Sequence, residues 1–113
     1  MSNSTYEDWL NARDNARKAI QDVETEGRRL AMAEARYYRC KASDYAALMA
    51  KGSATSAGNM VKGAYDTNAA LAEFRMAQAT YKAATLAANL FIDEEAHCYD
   101  QHKRVMAGDS ERF

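Results

Sequence analysis

The stretch Ala70–Val105, ALAEFRMAQATYKAATLAANLFIDEEAHCYDQHKRV, decides the fold. Small or apolar residues recur in it in alternating steps of four and three: Ala70, Phe74, Ala77, Tyr81, Ala84, Ala88, Phe91, Cys98 and Val105. Glu95 and His102 are the two polar members of the same series. That spacing holds one stripe on one side of an α-helix, so the helix must lie along a partner. A second stripe, Met76, Ala79, Ala83, Leu86 and Leu90, is offset by two residues and faces nearly the opposite way. A helix with two apolar flanks needs more than one neighbour.

Toward the N-terminus, the one shift in composition is Gly52-Ser-Ala-Thr-Ser-Ala-Gly-Asn-Met-Val-Lys-Gly63, which holds three of the five glycines. It reads as a connector over 52–63: a turn, a short helix near 55–61, and a stop at Gly63. The last long helix is expected over about 65–106, with a frayed tail over 107–113 that includes Gly108. Before the connector a first helix is expected over about 5–51. Ser4 and Glu7 have the spacing of a capping box at its start, and Gly52 is a good C′ stop. Its apolar positions are Trp9, Ala16, Ile20, Val23, Leu30, Ala35, Tyr38, Ala42, Tyr45 and Met49, at helical steps apart from a gap after Val23. That gap holds Gly27, which costs roughly 1 kcal/mol relative to alanine but permits close approach of another helix.

Two long helices of similar length with a short connector fold back on each other as an antiparallel pair. The expected fold class is therefore all-α, a single helical-hairpin domain over residues 1–113. A lone pair buries only one stripe of each helix. The second stripe makes a homodimer forming a four-helix bundle, or a larger helical assembly, the expected working form, with Met76, Ala79, Ala83, Leu86 and Leu90 at the interface.

Composition agrees with long helices, since the chain has no proline. Its net charge of −1 excludes a globally basic nucleic-acid binder. Met1–Asp8 lacks the basic patch and apolar run of a signal peptide. The apolar run Ala83–Ile92 is interrupted by Thr85 and Asn89 and is about half the length of a membrane span. Cys40 falls near the turn of the expected hairpin and Cys98 near its other end, too far apart for a disulfide. A soluble, cytoplasmic protein with free thiols is expected.

Charge is unevenly distributed. Residues 27–63 carry seven basic and two acidic side chains, whereas the segments on either side are each net −3. The basic segment supplies Arg28, Arg29, Arg36, Arg39, Lys41, Lys51 and Lys62, interleaved with Tyr37, Tyr38 and Tyr45, and Tyr65 follows it. Phosphates bind cations and free backbone N–H groups, and flat rings bind flat rings. The candidate ligand-binding set is Arg28, Arg29, Arg36, Tyr37, Arg39, Lys41, Lys51, Ser53, Thr55, Lys62 and Tyr65. The competing reading makes the arginines a solvated face and the tyrosines core or interface. No P-loop occurs. Glu94-x-x-His97 has the spacing found in di-iron bundles, but the facing helix offers no matching glutamates. Cys98 and His102, four apart on one face, would be half of a zinc site, a full one needing two subunits; the favoured reading is a polar end to the seam, with no metal and no cofactor. No nucleophile–base pair can be assembled, and an enzyme is not expected. Tyr6 and Trp9 read as a hydrophobic clamp at the open end rather than a ligand cage.

Thr5-Tyr6-Glu-Asp-Trp9-Leu10, Tyr38-Arg-Cys-Lys41-Ala42, Lys62-Gly63 and Tyr81-Lys82-Ala83-Ala84 with Asn89 downstream resemble small helical-hairpin proteins of Gram-positive prophages. The resemblance spans most of the chain, which departs from the pattern in its alanine-rich last helix and hydroxyl-rich connector. Such proteins are encoded in early gene blocks near recombination or single-strand DNA-binding genes. The resemblance implies a viral accessory role in the host cytosol, either in DNA handling or in blunting a host defence. Three functions follow as expectations. The first is a non-enzymatic oligomer that engages a nucleotide or nucleic acid through its basic connector end. The second is a counter-defence inhibitor, anti-CRISPR-like or similar, that binds a host defence protein. The third is a purely structural assembly element.

Overall fold

The computed structural model describes the backbone of residues 2–49 and 54–111 and the side chains of residues 4–47, 49 and 63–108. The described residues form two helices, α1 (Ser2–Met49) and α2 (Ala54–Glu111), and contain no strand. The all-α class and the two long helices are as expected. None of the described helices is long and apolar enough to cross a membrane.

Pieces of both helices make two compact units. The first combines Met1–Thr25 with Lys82–Phe113. Within it the helices run antiparallel: Thr5 Oγ1 lies 3.2 Å from His102 Nδ1, and the Trp9 and Tyr99 rings are 5.4 Å apart. Its seam is made by Thr5, Trp9, Ala12, Ala16, Ala19 and Val23 from α1, and by Ala84, Ala88, Phe91, Glu95, Cys98, His102 and Val105 from α2. The fully covered members are all alanines, Ala12, Ala16, Ala19 and Ala88. A seam between two helices has only two walls, which close over a methyl group but leave a large side chain half open. Each buried carbon contributes about 0.8 kcal/mol, so the pair is held by many small contacts.

The second unit is Glu26–Tyr81. It is also antiparallel: Arg36 pairs with Glu73, the Tyr37 ring lies 5.8 Å from that of Phe74, and Asp44 faces Gly63. Gly27, Leu30, Ala33, Tyr37, Cys40, Asp44 and Ala47 meet Gly63, Thr67, Ala70, Phe74, Ala77 and Tyr81. Only Ala70 among them is fully covered.

The 4-3 stripe of α2 is therefore the seam: every position named for it, Glu95 and His102 included, is buried or half-buried. The second stripe stands apart from it. Met76, Ala79, Ala83, Leu86 and Leu90 are all exposed, Met76 at 71% and Leu90 at 70%.

Four expectations are corrected. The seam of α1 does not run through Ile20 or, beyond Gly27, through Ala35, Tyr38, Ala42, Tyr45 and Met49, all of which are exposed. The heptad count continues unbroken to Leu30, Ala33, Tyr37, Cys40, Asp44 and Ala47. Following the most apolar residues slides the register off a seam that accepts small and polar side chains. The separate short helix near 55–61 and the stop at Gly63 are replaced by a helix that starts at Ala54 and passes through Gly63. A Cβ at Gly63 would collide with Asp44 Oδ1, so this glycine makes room for a carboxylate rather than ending a helix. Gly108 likewise lies inside α2, with nothing within 4 Å of where its Cβ would be. A helical glycine costs about 1 kcal/mol, too little alone to stop a long helix. At the other end α1 begins at Ser2, so Ser4 sits inside the helix instead of capping it. The expected stop at Gly52 lies outside the described residues.

Candidate functional site

The basic segment presents its built surface within the Glu26–Tyr81 unit. Arg29, Met32, Arg36 and Arg39 recur at steps of three, four and three along α1, which puts them on one face. With Ala33, Ala35 and, from α2, Glu73, they line an open depression of about 410 Å³. The Arg36 Nη1 donates to Glu73 Oε2 at 2.7 Å, and both side chains are about half exposed. Arg29 Nη1 donates to Glu26 Oε1 at 3.0 Å within its own helix. Arg39 has no carboxylate within ion-pair distance among the described residues, and it also borders a smaller hollow of about 160 Å³ with Cys40, Ser43, Gly63 and Asp66.

The depression thus has a methionine and alanine floor, three guanidinium groups and one carboxylate. Such a surface suits an anion that also offers a flat or apolar part. The Arg36–Glu73 pair is solvent-exposed on both sides, and pairs of that kind contribute about 0–1 kcal/mol, whereas Glu26 is half-buried beside an exposed Arg29. The two pairs shape the site without closing it to a more highly charged anion.

The other expected residues fall around this face unequally. Arg28 is exposed and does not line the depression. Tyr37 is in the seam, tilted against Tyr38 and Phe74, with Lys41 Nζ 5.7 Å from its ring centroid. Tyr65 is 74% exposed on α2. Lys51 and Ser53 lie outside the described residues, as do the side chains of Thr55 and Lys62. Sequence reading misses Met32, Ala33, Ala35 and Glu73. The Met32 signal is present, because Arg29-x-x-Met-x-x-x-Arg36-x-x-Arg39 is one helical stripe. Glu73 is invisible without the register between the helices.

The first unit carries an aromatic cluster. Tyr6 lies 6.0 Å from Trp9 and 5.5 Å from His102, and Trp9 and His102 are near-parallel at 6.2 Å. Tyr99 closes on Trp9 from α2, and Arg13 and Lys103 stand over Trp9 and Tyr99 at 5.7 and 5.4 Å. Tyr6 and Trp9 are in ring contact, joined by two partners from α2, Tyr99 and His102, that the sequence does not supply. Beside it, Thr5, Asp8, His97, Cys98 and Gln101 line a hollow of about 220 Å³. Burial pushes the Cys98 thiol above its ordinary pKa, and the Glu94 and Asp8 carboxylates add to the shift. The protonated thiol is a poor nucleophile and a poor metal ligand. Glu94 and His97 are both exposed, and no group of three or more His, Cys, Asp or Glu placed to hold a metal occurs among the described residues. Cys40 and Cys98 are both free thiols.

No family model, curated protein or solved structure matches this chain.

Proposed function

We propose that the protein is a non-enzymatic accessory binding protein that works as a homo-oligomer and engages a phosphate-bearing ligand, a nucleotide or a nucleic acid, on the arginine face of α1. The observation that carries this reading is the shared depression of Arg29, Arg36 and Arg39 around Met32. Guanidinium groups form forked hydrogen bonds to phosphate oxygens, and a phosphate dianion competes well for an arginine held by one exposed carboxylate. Methionine and the alanine floor give a base or ribose an apolar bed. The prophage resemblance makes this a viral accessory role in DNA handling.

Association is part of the proposal. Met76, Leu86 and Leu90 are large apolar side chains exposed at helical spacing on α2, a stripe suited to a second copy.

The test is titration of single-stranded DNA and of linear and cyclic nucleotides against wild type and an Arg36→Glu/Arg39→Glu variant. Removing an arginine that pairs with phosphate weakens binding and flattens its salt dependence. Equal binding by the two proteins, or none by either, removes the reading.

A second reading has its own observation. Met32, Tyr38, Tyr45, Met49 and Tyr65 are exposed large side chains of the same unit, and tyrosine, methionine and arginine are the residues enriched at protein interfaces. On this reading the chain is a counter-defence inhibitor docking on a host protein. Capture of a partner from host lysate that survives nuclease treatment and is abolished in Tyr38→Ala/Tyr45→Ala favours it. If neither assay yields a ligand, the structural assembly element is left.

A further inference from the structure

We propose that the first unit holds a second binding site, one for an organic cation, formed by Trp9, Tyr99 and Glu95. Trp9, Ile92, Glu95, Ala96 and Tyr99 line an open hollow of about 370 Å³. Two of its walls are the Trp9 and Tyr99 rings, packed on each other with centroids 5.4 Å apart and planes inclined at 52°. Ile92 and Ala96 supply apolar floor. The third wall is a carboxylate in an odd place. Glu95 occupies a seam position of the heptad, is only half-exposed, and makes no ion pair with a described residue. A partly buried carboxylate is costly unless a cation joins it.

Aromatic faces attract cations through the ring quadrupole, and the attraction grows as water is excluded. Both rings already display this: Arg13 stands over Trp9 and Lys103 over Tyr99. Those two residues lie four positions along the same helices from the rings they cover, and neither lines the hollow. The surroundings have the right sign, since Asp93, Glu94 and Asp100 are near neighbours in sequence and the segment 64–113 is net −3. An alkylguanidinium or alkylammonium group meets every requirement: charge for Glu95, a ring-facing head, and a methylene stem for Ile92 and Ala96. Such a group is carried by a small free cation or by a basic side chain of a peptide.

Trp9 is the only tryptophan, so its fluorescence reports on the site directly. Butylguanidinium, its neutral isostere butylurea, and a blocked arginine-containing peptide are the probes, each titrated into the full chain. Saturable change with the cation and none with butylurea is expected. Glu95→Gln should weaken binding about tenfold, Ala96→Leu should weaken it by crowding the hollow, and Lys103→Met should strengthen it by removing a competing cation. Response to the peptide alone, weakened to the same degree in Glu95→Gln, identifies a side chain of a partner as the source. Ala96 is exposed, so the Ala96→Leu result stands even if Glu95→Gln fails to fold. No saturable response to any cation, equal binding of butylurea, or unchanged affinity in folded Glu95→Gln or Ala96→Leu overturns the proposal.

Discussion

Replacing Gly27 by alanine should stabilise the fold, although a glycine in the middle of a packed helix ordinarily signals an approach too close for a methyl group. The site is a helix interior, where alanine is favoured over glycine by about 0.5–1 kcal/mol because the unfolded chain loses freedom and the helix keeps its backbone. A Cβ built on Gly27 meets Tyr81 Cε2 at 3.4 Å and Cδ2 at 3.9 Å, ordinary van der Waals distances. The added methyl thus fills space against a ring edge and contributes up to about 0.8 kcal/mol more. The total of about 1–1.5 kcal/mol corresponds to a rise in melting temperature of about 4–6 °C for a chain of this length. Far-UV circular dichroism measures it, with protein concentration held constant because association would itself move the midpoint. A urea midpoint shifted upward at unchanged slope would locate the effect in stability. A fall in melting temperature would refute the reasoning, since it would mean the helices are closer at Gly27 than a methyl group allows. Gly63→Ala is the internal contrast. Its Cβ collides with Asp44 Oδ1, so the carboxylate and the facing helix must shift, a steric cost that offsets the helix gain to leave little net change.

The seam itself can be tested by volume. Ala16 is 1% exposed, so Ala16→Leu should overpack the first unit and cost about 1–3 kcal/mol, whereas Ala42→Leu on the exposed face should leave the melting temperature nearly unchanged. The proposed dimer predicts that Leu86→Asp/Leu90→Asp lowers the light-scattering mass to that of one chain with helicity retained, because both side chains are exposed on the single chain. Unchanged mass would remove this stripe as the interface. The Cys98 thiol, pushed up by burial, Glu94 and Asp8, should react with a maleimide more slowly than a model thiol at mildly alkaline pH. Its contribution to stability has a definite sign. A pKa raised in the folded state means the unfolded chain releases its proton first, so the contribution is intact below the ordinary thiol pKa and is lost as pH rises through the folded value. Cys98→Ser should flatten that part of the pH–melting curve.

What can be read from the sequence is what a period alone determines. The 4-3 series from Ala70 to Val105 identifies the seam of α2 correctly, and it does so because the count is kept through Glu95 and His102. On α1 a reading that favours Tyr38, Tyr45 and Met49 after Gly27, the most apolar residues available, breaks the same rule and leaves the seam. A two-walled seam does not select for size or even for apolarity: it accepts Ala33, Cys40 and Asp44 while the tyrosines stand outside. Glycines mislead for a related reason. Gly63 and Gly108 read as punctuation, but one serves a cross-helix carboxylate and the other meets no neighbour, and the helix runs through both.

The candidate sites are half legible for a physical reason. Residues on one helix share a face by spacing alone, so Arg29, Arg36 and Arg39 can be grouped from the sequence. Glu73 beside Arg36, and Tyr99 and His102 beside Trp9, depend on the register between helices, which a misplaced stripe on α1 would shift. The alanine seam also explains where function can reside. Because the covered positions among the described residues are methyl groups, neither unit buries a large side chain there. Tyrosines, methionines and leucines beyond the seam are pushed to the surface, and so are the depressions able to receive a partner. Among the described residues the outer faces divide by chemistry: arginines around Met32 in one unit, aromatic rings around Glu95 in the other.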